Sequence, residues 1–229
     1  MSSPNIIKLY GHEHVLYTPQ NYTEREIAEL SKANFELMDK RRSIRSFSDK
    51  PVDKKIIENI IKTASTAPSG AHKQPWTFCA ISDPGIKTKI RIAAEAEEKE
   101  SYERRMSETW LNDLKPMGTN MYKPFLEIAP WLIVVFKRVY ELGKDRDTKS
   151  NYYVSESVGI ACGMLITAIH QAGLVTLTHT PSPMQFLHTI LERPENERPF
   201  LLLPVGYPAS PCYVPNLKRK ELKDVAVFY

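Results

Sequence analysis

Apolar and polar positions along the chain follow periods that predict several helices. Residues 23–40 are rich in helix-forming residues, and Thr23 is a suitable N-cap for them. A second helix is predicted after Asp53, because its apolar residues recur on one stripe: Ile56, Ile57, Ile60, Ile61 and Ala64. Residues 86–115 contain neither glycine nor proline and are predicted to be largely helical.

Short apolar runs predict the strands of a small sheet. Four strands are expected, at residues 76–82, 131–138, 174–180 and 199–207. Residues 155–173 are apolar on nearly every side and end at Gly173, a pattern typical of a central, fully enclosed helix. With a short helix at 186–192, the pattern predicts an α+β fold, with helices on both faces of the sheet.

Composition narrows the class of protein. The chain has 229 residues, 42% hydrophobic and 25% charged, which suits a folded domain, and its net charge of +4 is too small to indicate nucleic-acid binding. The three cysteines form no CxxC pair, so neither a zinc site nor a disulfide framework is indicated. No signal peptide is recognised, and the longest apolar run is too short to cross a bilayer. We therefore expect a soluble, cytoplasmic protein that binds no metal.

Basic residues concentrate in two segments. Arg41, Arg42 and Arg45 surround Ser43, and Lys218, Arg219 and Lys220 follow far along the chain. Guanidinium groups present donors in a plane that matches phosphate oxygens, so the two segments could form one anion cradle. The alternatives are solvated basic turns, or a non-enzymatic module that binds nucleic acid.

Two polar loops are further candidates. In APSGAHKQPW (67–76), small residues allow main-chain N–H groups to approach a flat ligand, whereas the simpler interpretation is a loop that ends a helix. In THTPSP (178–183), Thr178 and Thr180 end a predicted strand. Their hydroxyls could reach a cofactor, although alternating threonines are also common in strands.

Four segments in order carry a family resemblance. RRSIR, PSGAHKQPW, TLTHTP and VGYP followed by LKRK resemble the nitroreductase superfamily of FMN-binding homodimers. Within it the chain is most similar to the iodotyrosine deiodinases, over roughly residues 20–225, and EAEEKESYERRM adds to that likeness. The resemblance implies a nitroreductase-like central mixed sheet flanked by helices, one buried central helix, and a domain-swapped homodimer.

The resemblance also implies domain boundaries. It makes residues 1–22 an N-terminal extension and residues 23–229 a single FMN-binding domain. Within that domain it implies a lid at about 91–124 and a C-terminal arm at about 212–229.

The site residues implied by the resemblance are of two kinds. The FMN-binding residues are Arg41, Arg42, Ser43, Arg45, Ser69, Gly70, Thr178, His179, Thr180 and Arg219, with Thr178 and Thr180 in the catalytic position that hydrogen-bonds flavin N5. The substrate-binding residues are Ala71, whose N–H receives the phenolate, and Glu98, Tyr102 and Lys123, which hold the amino-acid end of a halotyrosine.

The spacing of this last group is consistent with a lid. Glu98 and Tyr102 are four residues apart and share a helix face, in a stretch with little apolar surface to anchor it. Such a stretch should be mobile when empty and ordered by a bound zwitterion.

The implied reaction is FMN-dependent reductive dehalogenation of iodo-, diiodo-, bromo- and chlorotyrosine to tyrosine and halide. The electrons come from an external donor such as an NAD(P)H-linked reductase, with no nucleic-acid or membrane partner. The alternative is a general FMN nitroreductase or flavin oxidoreductase acting on nitroaromatics. This chain departs from the family at Ser182-Pro183, where relatives carry Leu-Asn, and it lacks the N-terminal membrane anchor of vertebrate deiodinases. It therefore looks like a microbial homologue.

Overall fold

The computed structural model describes residues 6–143 and 148–229, and the chain forms two compact units, residues 1–40 and 41–229. Residues 1–5 of the expected N-terminal extension lie outside the described part.

The first unit contains a hairpin and a helix. Strands β1 (Ile6–Leu9) and β2 (His12–Val15) pair antiparallel, and α1 spans Glu24–Asp39. The Thr23 side chain accepts from the Glu26 N–H while the Glu26 carboxylate accepts from the Thr23 N–H, which forms a capping box. The predicted start of this helix is therefore confirmed.

The second unit contains the sheet and the remaining helices. In chain order its elements are α2 (Lys54–Ser65), β3 (Trp76–Ile81), α3 (Pro84–Glu100), α4 (Glu108–Leu114), α5 (Phe125–Ile128), β4 (Trp131–Arg138), β5 (Tyr140–Leu142), β6 (Thr148–Ser150), α6 (Val154–Gln171), β7 (Val175–Thr176), α7 (Gln185–Ile190) and β8 (Glu197–Gly206). Asp53 caps α2 as predicted, through a hydrogen bond from the Lys55 N–H. Single 3-10 turns lie at Gly70–His72, Lys115–Met117 and Leu222–Asp224.

The sheet has the strand order β3-β4-β8-β7, and every pair of these strands is antiparallel. The expected mixed character is limited to one parallel bridge between Ser43 and Thr176. The last two strands differ from their predicted lengths in opposite directions. Strand β7 is only two residues long, whereas β8 begins two residues earlier than expected. Beyond β7 only His179 pairs again with β8, at Leu202, which leaves Thr178 and Thr180 exposed.

Apolar side chains pack on both faces of the sheet. Helices α2 and α6 cover one face, and α3, α5 and α7 cover the other. Helix α6 was predicted to be enclosed on all sides, but one face of it is exposed. Its inner face is buried around Ala161 and Leu165, whereas Gly159, Ile160 and Gly163 on its outer face are exposed, with Ile160 47% exposed.

The long helix expected over residues 86–115 is interrupted. After α3 the chain makes one π-helical turn, Ser101–Arg105, and Met106 then takes an extended conformation before α4. No described residue from 101 to 122 is buried. We call residues 101–122 the cover segment. The described side chains of this segment therefore have no buried anchor in the core.

The three cysteines are free thiols. Among the described residues, no helix combines the length and the apolar character that crossing a membrane requires.

Candidate active site

The two basic segments of the sequence meet in space. They line a cavity of about 210 Å³ formed by Arg41, Arg42, Ser43, Arg45, Met117, Pro215, Leu217, Lys218 and Arg219. Direct contacts join the segments, because Arg219 Nη2 donates to the Arg41 carbonyl at 3.0 Å and Arg42 donates to the Pro215 carbonyl. We call this space the cationic cavity. Lys220 is not among the described residues that line it.

The charge of the cationic cavity suits an anion. Five of its described lining residues are cationic and none is acidic. Such a set holds a phosphate through charge-assisted hydrogen bonds, and the planar guanidinium groups can each offer two donors. The residues present therefore fit the phosphate end of FMN.

Backbone pairing places the arginine segment beside the threonine loop. The Ile44 N–H donates to the Thr176 carbonyl at 3.1 Å, and the Ile44 side chain is buried. The residues on either side of Ile44 are thereby held next to the end of β7, where Thr178, His179 and Thr180 follow.

A second cavity, of about 150 Å³, brings the predicted substrate residues together with that loop. We call it the carboxylate–lysine cavity, and its described lining is Arg45, Glu98, Tyr102, Met106, Trp110, Leu114, Thr119, Lys123, Phe125, Leu177, Thr178, His179 and Thr180. A third cavity of about 360 Å³ is lined by Met117, Tyr213 and Pro215 among others. Arg45 lines all three cavities, so the three predicted groups of Arg41–Arg45, Thr178–Thr180 and Glu98, Tyr102 and Lys123 are neighbours.

A buried ion pair forms the centre of the carboxylate–lysine cavity. Lys123 Nζ lies 3.2 Å from Glu98 Oε2, with the two side chains 4% and 12% exposed. Lys123 also donates to Thr119 Oγ1 at 3.2 Å and to the Asn120 carbonyl, and its Nζ lies 5.7 Å from the centre of the Tyr102 ring. Burial lowers the pKa of Lys123, and the nearby Glu98 carboxylate opposes that shift. Burial likewise raises the pKa of Tyr102.

His179 is neutral in this site. Its imidazole is buried, with Nδ1 3.9 Å from Glu98 Oε1 and its ring edge-on to Phe125 at 5.8 Å. Burial, reinforced by the charges of Lys123 and Arg45, lowers its pKa to about 3. Its Nε2 is a buried polar atom without a hydrogen-bond partner among the described residues.

The cover segment contributes side chains that sequence reasoning missed. Met106, Trp110 and Leu114 line the carboxylate–lysine cavity together with Thr119. Met106, Trp110 and Leu114 are spaced four residues apart, which is the period of one face of a helix. This apolar period is the signal in the sequence that could have identified them. Arg105 fixes the start of the segment, since its Nη1 donates to Glu97 Oε2 at 2.9 Å and to the Ser182 carbonyl at 2.8 Å.

The remaining predicted residues, Ser69, Gly70 and Ala71, lie elsewhere in this chain. None of them is among the described residues that line the three cavities. The loop instead abuts the start of α6, where the Gly70 N–H donates to Ser157 Oγ at 3.3 Å.

The conformation of this loop is unusual. A Cβ at Gly70 would lie 2.9 Å from the Tyr152 carbonyl oxygen, so only glycine fits there without a shift of the backbone. Ala71, His72 and Gln74 have φ values of 49°, 53° and 48°, a concentration of left-handed residues that is typical of ligand-binding loops. The loop thus has a backbone shape suited to close contact with a ligand, but in the single chain it lines none of the three cavities.

Comparisons with known proteins agree with this geometry. The chain is 60% identical over 213 residues to the iodotyrosine deiodinase of Haliscomenobacter hydrossis, covering 93% of this chain and 96% of that protein. It is 45% identical to human iodotyrosine deiodinase 1, covering 94% and 75%. A crystal structure of oxidised iodotyrosine deiodinase bound to FMN and 3-iodo-L-tyrosine superposes with a TM-score of 0.73 at 31% identity, covering 86% of this chain and 98% of that one. The nitroreductase family model matches residues 38–207, and the chain therefore belongs to the nitroreductase family.

Proposed function

We propose that this protein is an FMN-dependent oxidoreductase that removes halide reductively from halotyrosines: 3-iodotyrosine, 3,5-diiodotyrosine and their bromo and chloro counterparts. The observation that carries the proposal is that Arg45 lines both the cationic cavity and the cavity holding the buried Glu98–Lys123 pair. A phosphate-bearing cofactor and a zwitterionic ligand would therefore be adjacent. The names of the similar proteins support the same substrate class.

The cationic cavity supplies the cofactor contacts. Arg41, Arg42, Ser43, Arg45 and Arg219 would hold the phosphate of FMN, which supplies the two electrons once it is reduced. The hydroxyls of Thr178 and Thr180, at the edge of the neighbouring cavity, are the donors available to the ring.

The Glu98–Lys123 pair selects an amino acid. A free amino acid carries an ammonium and a carboxylate on one carbon, so it can insert between the two side chains with each charge facing its opposite. Glu98 would bind the ammonium and Lys123 the carboxylate, while Tyr102 bounds the same cavity. Because the pair is almost completely buried, these interactions are screened less than they would be in water.

The reaction balances with one proton. A halotyrosine takes up two electrons and one proton, the carbon–halogen bond breaks, and tyrosine and halide leave. Burial holds the pKa of His179 far below its usual value, so its imidazole is neutral near pH 7. The contribution of the chain is to orient the ring, through Ala71 and the Glu98–Lys123 pair, and to exclude water by the cover segment.

The complete site requires a second copy of the chain. The Ser69–Ala71 loop lines none of the three cavities, and in a homodimer the loop of one copy would reach the cavities of the other. The exposed apolar face of α6 supplies a surface for this contact. The C-terminal arm also presents unpaired apolar side chains, with Val227 and Phe228 74% and 83% exposed, suited to reaching a partner.

The electron donor would be a separate NAD(P)H-linked reductase. A cytoplasmic location suits such a donor, and it suits the three free thiols.

A binding comparison tests the proposal. Titrating the FMN-loaded protein with 3-iodotyrosine and with 2-iodophenol, which lacks the amino-acid group, should show much tighter binding of 3-iodotyrosine. Equal affinities would contradict a zwitterion site and favour a general nitroreductase.

A further inference from the structure

A carboxylate on α3 holds the backbone of Lys123. The Lys123 N–H donates to Glu95 Oε1 at 2.7 Å, and Arg91 Nη1 donates to Oε2 of the same carboxylate at 2.7 Å. Arg91 Nε in turn lies 2.8 Å from Glu127 Oε1, on α5. Arg91, Glu95 and Glu127 thus form a chain of charges that ties Lys123 to two helices, and Arg91 also holds the pKa of Glu127 below its ordinary value.

Glu95 and Glu98 act on opposite ends of one lysine. They are three residues apart on α3 and therefore lie on the same helix face. Glu95 receives the Lys123 N–H, and Glu98 pairs with its ammonium at 3.2 Å. The Glu95 and Arg91 side chains are 18% and 27% exposed, so their contact is partly shielded from water.

Lys123 lies between the cover segment and the start of α5. The cover segment immediately before it contains no buried described residue, so no core packing on that side fixes its backbone. On the other side Phe125 and Leu126 are buried, and Lys87 Nζ donates to the Glu127 and Ala129 carbonyls, which fastens α5 to α3. The Leu126 N–H donates to the Lys123 carbonyl at 3.0 Å, and Glu95 receives the Lys123 N–H, so both backbone groups of Lys123 are tied to this rigid part.

We propose that Glu95 is a positioning residue for substrate recognition, acting through Lys123. This inference rests on the proposed function, in which Lys123 binds the carboxylate of the halotyrosine. When the substrate ammonium engages Glu98, the Lys123 ammonium must reorient toward the substrate carboxylate. Glu95 holds the Lys123 backbone during that change, so the Lys123 side chain can move while its main chain stays in place.

The test uses the FMN-loaded protein with three single substitutions. Glu95→Ala removes the acceptor, and Glu95→Gln retains a neutral one. Glu100→Ala is the matched control, because Glu100 lies on the same helix and its ion pair in the described part of the chain, 3.4 Å from Arg104, is exposed.

Hydrogen exchange of the Lys123 amide is the readout that needs no substrate. It should become about tenfold faster in Glu95→Ala, in line with the loss of one hydrogen bond to a charged acceptor, and remain unchanged in Glu100→Ala. Affinity for 3-iodotyrosine should fall about tenfold in Glu95→Ala and about threefold or less in Glu95→Gln. Binding of 2-iodophenol and of FMN should stay as in the unmodified protein.

A double substitution separates positioning from general damage. In a Lys123→Gln background, Glu95→Ala should produce no further loss of 3-iodotyrosine affinity, because the residue it positions has already been removed. Additive losses, loss of FMN, or unchanged exchange of the Lys123 amide would each overturn the proposal. If the unmodified protein retains FMN but does not bind 3-iodotyrosine, the proposed function itself fails, and the role of Glu95 in recognition fails with it.

Discussion

Lys123 Nζ and Glu98 Oε2 lie 3.2 Å apart in a part of the site that water scarcely reaches, the side chains being 4% and 12% exposed. Without substrate, each residue therefore neutralises the other. Burying two charges is costly unless they remain paired, so a ligand that separates them must provide both a cation and an anion. An amino acid does so, whereas a nitroaromatic or a simple phenol does not.

Removing the charge of Glu98 should therefore affect halotyrosines selectively. We expect Glu98→Gln to weaken 3-iodotyrosine binding by about 10- to 100-fold, the usual range for losing a hydrogen bond between charged groups. Turnover of a nitroaromatic by the same FMN-loaded variant should change little. Parallel steady-state assays of the two substrates check this, with Glu100→Gln as the control on the same helix. Equal losses for both substrates would show that Glu98 is not a substrate clamp.

The cationic cavity should recognise the phosphate of the cofactor. We expect Arg219→Ala to weaken FMN binding by about tenfold and riboflavin binding hardly at all, because riboflavin lacks the phosphate. Fluorescence titration of the apoprotein with each flavin measures the ratio of affinities. Lys223→Ala is a suitable control, since Lys223 is an exposed cation near the same end of the chain that pairs with Glu221. A loss of equal size for both flavins would contradict the assignment.

The buried His179 should make stability depend on pH. Its pKa falls from 6.5 to about 3 on folding, so between these values the unfolded chain carries a proton that the folded protein does not. The free energy of unfolding should therefore decrease as the pH falls from 6.5, by up to about 1.4 kcal/mol per pH unit. Urea unfolding between pH 7 and pH 5, a range in which most carboxylates stay ionised, measures the slope. His179→Gln should reduce the slope, and equal slopes in the two proteins would refute the burial effect.

The outer face of α6 should be a subunit interface. We expect Ile160→Glu to convert a dimer to a monomer and to lower the FMN content, because the site would lose the loop of the second copy. Light scattering after size-exclusion chromatography, together with the flavin absorbance, measures both. Ile92→Glu on α3 is the control, since Ile92 is 56% exposed and Ile160 47%. A monomer that keeps FMN tightly would contradict the shared site.

Local signals in the sequence predicted much of this fold. Thr23 and Asp53 cap their helices through the side-chain contacts that such residues favour, and β4 spans the predicted residues. These elements could be predicted because their determinants lie within a few residues of one another.

Features that depend on distant parts of the chain were harder to predict. The apolar pattern of α6 indicated burial, but it cannot distinguish burial by the same chain from burial by another molecule, and Ile160 proved exposed. The meeting of Arg41 with Arg219 had no local signal beyond like charge, and the role of Lys123 came only from the resemblance. The contact between Glu95 and the Lys123 backbone spans 28 residues of sequence and involves no side chain of Lys123, so no pattern in the sequence pointed to it.

The most direct test of the proposed function is a single anaerobic turnover. The FMN-loaded protein, reduced by two electrons, should convert one equivalent of 3-iodotyrosine to tyrosine and release one equivalent of iodide while the flavin returns to its oxidised absorbance. Flavin that remains reduced in the presence of bound 3-iodotyrosine, with no iodide released, would contradict the account.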